Sequence, residues 1–368
     1  MSGEGVQALA AHGLRTPKTL TLAVTGRCNL RCSHCWVEAA PDREGEGPVP
    51  VRAAVGLVEA FLACGGNQVC LTGGELLTHP QWRSLVARCA RRVGPARLRL
   101  QTNATLIGPE EARFLAALGP GGPAVQVSVD GAGPATHDRV RGRGSFSRAV
   151  RGLGWLAAAG LGPHTELLFT EMRHNLDELP QLLGLAERLG VARVRSASVV
   201  PGGRAARRGR IEPPTAAQYA ALRRRHETDG VFRRRCARYG APVAVAWLGG
   251  GPRPPHECTF VENPYVTAGG AVYPCVLFHS PAHAVFGAFE RPWEELLDGG
   301  APLWGALRAA SRQRSAALPA CAGCPVQPAC RGGCMGRAQA AHGDPMTVED
   351  RCALRRAVVS PPCREGPP

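Results

Sequence analysis

From Thr19 to about Val200, short β-rich runs alternate with longer stretches of helical periodicity. The alternation predicts strands over Leu20–Thr25, Gln68–Thr72, Arg97–Gln101, Ala124–Asp130, Thr165–Thr170 and Ala192–Val199. Apolar residues recur at helical spacing near Val51–Ala63, Trp82–Arg92, Glu110–Leu118, Phe146–Ala159 and Asn175–Leu189. Breakers at Gly94–Pro95, Gly119–Pro120 and Gly162–Pro163 separate these elements. Six strand–helix repeats in series imply a parallel α/β sheet with right-handed crossovers. With no reversal of strand order visible, a barrel or partial barrel fits as well as a doubly wound sheet. In either case ligands sit at the carboxyl ends of the strands.

After Val200 the pattern changes. Pro201–Arg210 is a Gly/Arg loop, Pro213–Arg235 reads as one basic helix, and Gly249–Pro255 reads as a linker. Cys258 to Cys363 is cysteine-dense and loop-rich, with one helix near Trp293–Ala310. Its apolar content is thin for an independent core, so metal ligation is expected to supply the missing stability. The chain therefore divides into an N-terminal segment 1–18, a repeat core 19–240 and a cysteine-rich unit 241–368.

Hydrophobic residues make up 44% of the 368 residues and charged residues 20%, enough for a real core and too apolar for wholesale disorder. Aromatics are only 5%, which argues against stacked-base recognition of single-stranded nucleic acid. The net charge of +15 is almost entirely arginine, Lys18 being the lone lysine. Residues 1–18 lack the apolar run of a signal peptide, and the longest charge-free segment, Asn263–Phe289, is broken by Pro264, Pro274 and Pro281. No membrane association is expected, and the cytoplasm is the expected compartment. In a reducing compartment, 15 cysteines, an odd and clustered set, read as metal ligands rather than as a disulfide framework.

Cys28, Cys32 and Cys35 form C-x3-C-x2-C just after the first strand. Three thiolates on one loop leave a tetrahedral zinc site one ligand short, to be completed by His34 or a distant residue. The same three can hold three corners of an iron–sulfur cubane and leave one iron open to a small molecule. This triad, with His34 in the aromatic position before the last cysteine, resembles the radical S-adenosylmethionine (SAM) superfamily. Thr72-Gly73-Gly74-Glu75 at the second strand end resembles the family's Gly-Gly-Glu motif, which holds the methionine amino group. Gln101-Thr102-Asn103 and Ser128-Val129-Asp130 resemble its ribose- and carboxylate-contacting strand ends. Pro201-Gly202-Gly203-Arg204 resembles the turn that often follows strand six, and Arg141 belongs to a segment frequent in peptide-modifying members. The resemblance implies a partial (β/α)6 TIM-type barrel and a [4Fe–4S] cluster on Cys28, Cys32 and Cys35. It further implies SAM contacts from Gly73, Gly74, Glu75, Asn103, Ser128 and Asp130.

The C-terminal spacing resembles the seven-cysteine SPASM extension of that superfamily: Cys258, then Gly270 and Cys275, then Cys321-x2-Cys324-x5-Cys330-x3-Cys334, then Cys352. It implies two auxiliary iron–sulfur clusters, one on Cys321, Cys324, Cys330 and Cys352 and the other on Cys258, Cys275 and Cys334. The cysteine that fully ligated members carry just before the motif is missing here. The fourth position is left open or is filled by Cys236, Cys363, His256 or Glu257. A pair of zinc sites is the alternative for this half. Cys64, Cys70 and Cys89 are expected to be buried, inert thiols.

The resemblance implies reductive cleavage of SAM to a 5′-deoxyadenosyl radical acting on a ribosomally made peptide, by cross-linking or side-chain oxidation. It also implies an electron donor of flavodoxin or ferredoxin type. With about 18 residues before the first strand, leader recognition is expected from a separate leader-binding protein, unless the substrate needs none. The arginines of Arg204–Arg235 would suit an acidic leader. Alternatives are modification of a tetrapyrrole propionate, as in haem biosynthesis, and a non-catalytic metal-binding module. Val276, where formylglycine-forming maturases carry Asp, disfavours that activity. Glu171 and His279 are the candidates for substrate-side chemistry.

Overall fold

A computed structural model describes residues 3–208, 211–248 and 257–359. The expected linker Gly249–Pro255 and the candidate ligands His256 and Cys363 lie outside the described residues. Strands β1 (Thr19–Ala23), β2 (Gln68–Thr72), β3 (Leu98–Thr102), β4 (Ala124–Ser128), β5 (Thr165–Glu171) and β6 (Arg193–Ser198) pair in sequential parallel order. Helices α1 (Glu4–Ala11), α2 (Val51–Ala63), α3 (Trp82–Val93), α4 (Pro109–Ala116), α5 (Pro134–Arg141), α6 (Ser145–Ala158) and α7 (Leu179–Arg188) belong to this half. They are followed by α8 (Arg204–Arg208), α9 (Ala216–Thr228), α10 (Gly230–Tyr239) and α11 (Val243–Leu248). The architecture is the partial (β/α)6 barrel that the strand–helix alternation and the family resemblance together imply.

Period-two alternation decides what faces what. Leu20, Leu22, Val69, Leu71, Leu98, Leu100, Val125 and Val127 are fully or nearly fully buried in the core cluster, against the helices. The intervening residues Thr21, Cys70, Arg99, Gln101 and Gln126 line the barrel interior instead. On the helix side, α3 buries Trp82, Leu85, Val86, Cys89, Ala90 and Val93, a stripe at i, i+3, i+4, i+7, i+8 and i+11, and stops at Gly94 with φ of 87°.

The cysteine-rich half extends the same sheet. Strand β7 (Tyr265–Val266) pairs in parallel with β1, and β8 (Ala271–Tyr273) and β9 (Val285–Phe286) follow antiparallel, giving among the described residues nine strands in the order β6-β5-β4-β3-β2-β1-β7-β8-β9. Helix α12 (Trp293–Ala317) packs on α1, and α13 (Gln327–Cys330), α14 (Met335–His342) and α15 (Cys352–Val359) complete the fold. Core residues of both halves form one cluster, from Leu9 to Val358. Among the described residues no helix is long and apolar enough to cross a membrane.

Candidate functional site

The loop from Thr25 to Ala40 carries Cys28, Cys32 and Cys35 over the carboxyl ends of the strands. It has little regular structure and is held by ties from elsewhere. Arg204 Nε donates to the carbonyl of Cys32 at 2.8 Å and its Nη2 to that of Ala39 at 2.6 Å, while its backbone N–H reaches the Cys35 carbonyl at 3.1 Å. Gly203, with φ of 56°, lies so close that a Cβ there would meet the Trp36 carbonyl at 2.3 Å. The Pro-Gly-Gly-Arg turn after strand six is therefore a clamp on the cysteine loop.

The two glycines after β2 serve the same loop. A Cβ on Gly73 would meet the Thr25 carbonyl at 2.5 Å, and one on Gly74 the Arg27 carbonyl at 2.3 Å. Gly74 N–H donates to Thr25 and Glu75 N–H to Arg27. Close approach to the loop backbone, rather than to a ligand alone, explains both glycines.

Cys28, Cys32 and Cys35 line one cavity of about 860 Å³ together with Gly73, Gly74, Asn103, Ser128 and Arg141. Glu75 and Asp130, the other two expected contacts, lie behind this wall. The Glu75 carboxylate accepts from Thr102 Oγ1 and Asn103 N–H, each at 2.7 Å, and from Leu77 N–H at 3.1 Å, so it braces the end of β3. Asp130 accepts from Arg141 Nε at 2.6 Å and from Thr170 N–H at 2.8 Å, with His34 Nε2 at 3.2 Å. Burial alone would raise its carboxyl, but Arg141 and His34 outweigh that and hold it well below the carboxylate range. Asn103 Nδ2 donates to Asn29 of the loop at 2.9 Å.

Three soft thiols on one wall of one cavity fit an iron–sulfur cluster. Burial pushes the Cys28 thiol up to about 12 and raises Cys32 as well, a cost that a bound cation would offset by stabilising the thiolates. Arg141 Nη1 lies 3.9 Å from Cys32 Sγ, and Leu30 N–H donates to Cys28 Sγ at 3.4 Å. Among the described residues no three His, Cys, Asp or Glu side chains converge as a single metal ion requires.

In the C-terminal half, Cys321, Cys324, Cys330 and Cys352 line one pocket with Leu318, Val326 and Arg355. Arg331, Gly332 and Gly333, all with positive φ, turn the chain between Cys330 and Cys334. Burial raises the Cys258 thiol to about 11 and the Cys275 thiol to about 12, and the neighbouring Cys334 adds to both. Arg314 is buried beside Cys258, Cys334 and Cys321, and its Nη1 has no hydrogen-bond partner among the described residues. An orphaned guanidinium N–H between two sets of thiols suits an anionic sulfur acceptor. Two of the proposed fourth ligands are committed elsewhere. Cys236 is in the core where α10 packs on α7 and α9, and Glu257 is paired with Arg308 at 2.8 Å and with Arg312.

Glu171 turns away from the cavity. Its carboxylate accepts from Tyr219 OH at 2.6 Å, Ser196 Oγ at 2.5 Å and Val243 N–H at 2.9 Å, which fastens α9 and α11 to β5. This corrects the expectation of substrate-side chemistry and follows from strand alternation, since Thr170 takes the inward place. His279 does line the cavity. It stacks on Tyr265 with centroids 4.7 Å apart and on Tyr273 at 4.9 Å, and its Nε2 accepts from Trp36 Nε1 at 3.4 Å. Burial lowers its pKa to about 4, so the ring is neutral. The sequence signal for Trp36 was its place beside Cys35; Tyr265 and Tyr273 had none.

Comparison with known proteins gives a consistent set. The model of the radical SAM superfamily matches residues 22–186. The mycofactocin maturase MftC of Mycobacterium ulcerans is 33% identical over 341 residues, covering 88% of this chain and 84% of that protein. The AdoMet-dependent heme synthase of Nitratidesulfovibrio vulgaris is 33% identical over 207 residues, covering 53% of this chain and 54% of that protein. Among solved structures, Streptococcus suis SuiB bound to S-adenosylmethionine superposes with a TM-score of 0.70 at 18% identity, covering 94% of this chain and 79% of that one. The last is a likeness of fold.

Proposed function

Since the chain belongs to the radical SAM superfamily, as a member with a SPASM-type extension, we propose that it is a maturase that modifies a ribosomally made peptide by cross-linking or side-chain oxidation. It is an enzyme, and the family's cofactors are a [4Fe–4S] cluster and SAM. When bound, they supply one-electron cleavage of the sulfonium and a 5′-deoxyadenosyl radical that abstracts a substrate hydrogen.

The chain's own residues do the rest. Cys28, Cys32 and Cys35 would hold that cluster, the Arg204 clamp and the paired glycines would fix the loop, and Arg141 would offset negative charge beside Cys32. Gly73, Gly74, Asn103 and Ser128 would contact SAM directly, with Glu75 and Asp130 supporting those strand ends from behind. Enclosure by Trp36, Tyr265, Leu168 and Val199 would keep unwanted hydrogen donors away. Cys321, Cys324, Cys330 and Cys352, and separately Cys258, Cys275 and Cys334, would bind auxiliary clusters. A cytoplasmic setting, a flavodoxin- or ferredoxin-type donor and a separate leader-binding protein complete the proposal.

The observation that carries the peptide reading is the match across both halves of the chain to the mycofactocin maturase, at 88% coverage, together with that to the PqqA peptide cyclase of Streptomyces rochei, at 94%. The second reading, modification of a tetrapyrrole propionate, draws on a relative that matches only 53% of it. Anaerobic reconstitution tests the chemistry. The wild type should release 5′-deoxyadenosine from SAM, and Cys32→Ala should lose that release while keeping auxiliary iron. Unchanged cleavage by Cys32→Ala would refute the assignment. Neighbouring genes then separate the substrates: a short precursor-peptide gene favours the first reading, haem-pathway genes the second.

A further inference from the structure

The walls of the 860 Å³ cavity hold four arginines, Arg99, Arg141, Arg195 and Arg204, and no Asp or Glu among the described residues. Three of the four are already engaged. Arg204 is spent on loop carbonyls, Arg141 on Asp130, and Arg195 on Glu166 at 2.7 Å. Arg99 is the exception: among the described residues no carboxylate lies within 4.0 Å of it and no hydrogen bond is made by its side chain. Glu166, an acid that feels the charge of Arg99 from beyond that distance, already serves Arg195, Arg193 at 3.8 Å and Gln126 at 2.9 Å.

The position of Arg99 follows from β3. In Leu-Arg-Leu-Gln-Thr the two leucines are buried against the helices, so the arginine must point into the barrel. An unpaired guanidinium there is unfavourable unless an anion or water meets it. Arg99 sits four residues below Asn103, about 13 Å along the strand from the level of the cysteine loop. An anion held by Arg99 would therefore leave the intervening stretch of its carrier beneath the radical source.

We infer that Arg99 is a specificity-determining residue that receives a carboxylate of the substrate at the deep end of the barrel. The inference rests on the cavity being the substrate chamber proposed above. The carboxylate comes from a peptide's C-terminus or from a tetrapyrrole propionate, and guanidinium recognition is common to both.

Calorimetric titration of anaerobic, cluster-loaded protein tests it with two probes. One is the tripeptide Ala-Ala-Phe beside its C-terminal amide; the other is coproporphyrin III. The wild type should bind the free acid about tenfold or more tightly than the amide, Arg99→Gln should abolish that ratio, and Arg99→Lys should restore part of it. Arg99-dependent binding confined to coproporphyrin supports the inference with the tetrapyrrole as carrier. A peptide acid-to-amide ratio that Arg99→Gln leaves unchanged, or no Arg99-dependent binding of either probe, overturns it. Equal iron content and far-UV spectra of the two variants guard against misfolding. Because binding is read apart from turnover, a wild type that prefers the acid yet never splits SAM removes the radical reading and leaves Arg99 in place.

Discussion

Gly203 shows how a single missing side chain governs the site. A left-handed residue with a Cβ costs about 1–2 kcal/mol before any clash, and here the added carbon would press on the carbonyls of Trp36 and Cys35 at 2.3 and 2.5 Å. Gly203→Ala should cut 5′-deoxyadenosine release at least tenfold and strip iron from the loop while the C-terminal iron stays, as read by product chromatography and iron analysis. Buried histidines set a second residue-scale expectation. Burial holds both His137 and His279 at about 4, below the ordinary 6.5. The unfolded chain therefore binds more protons than the native one between those values, and stability falls as pH drops from about 6.5 towards 4. His137 accepts the Asp130 N–H through Nδ1 at 3.1 Å, a bond its protonation would break. Urea midpoints measured from pH 7 to 5 should fall less steeply in His279→Phe than in the wild type.

At the scale of elements, the tie between α9 and β5 runs through a hydrogen bond from Tyr219 to the buried Glu171 carboxyl. Tyr219→Phe should lower stability by about 1–3 kcal/mol, the cost of leaving a buried acceptor unsatisfied, seen as a reduced thermal midpoint of the holoprotein. The barrel strands and the helices α2 and α3 were legible in the sequence because period-two and helical stripes there are clean. Helix α5 was not, since its buried face is Thr136, His137, Val140 and Arg141, chosen for the network around Asp130 and not for apolar packing. The single basic helix expected over Pro213–Arg235 is two, because Asp229 stops α9 and caps α10 by accepting from Val231 and Phe232 N–H. Helix α12 outruns its expected end at Ala310 and continues through Pro302, carried by buried Trp293, Trp304 and Arg314. Strands β7 to β9, two or three residues each, are too short to leave a periodic signal. Cysteine spacing exposed the thiols of the site, but that Glu75, Asp130 and Glu171 stand behind the chamber wall depended on the turns after β2 and β4 and on strand parity at Glu171.

For the whole molecule, the thiols of the C-terminal half would, as cluster ligands, take part in its architecture. If each of three clusters carries the same iron, replacing Cys321 and Cys324 together by Ala should remove about a third of the total and leave SAM cleavage measurable. The pocket these cysteines share with Leu318 and Val326 would lose its filling, so proteolysis should begin in residues 318–352. Loss of all iron, or none, would show that the cysteine sets are not independent. The junction between the halves is also a matter of order in time. Strand β1 meets its outer neighbour β7 only through Tyr265 and Val266, about 244 positions later. At 5–20 residues per second, a ribosome needs roughly 12–50 s to cover that distance. Throughout that interval the outer backbone amides of β1 are bare, open to capture by any other extended chain. Slower elongation or crowded polysomes should therefore divert nascent chains into aggregates, and the soluble yield should depend on the pace of translation more than on the stability of the finished barrel.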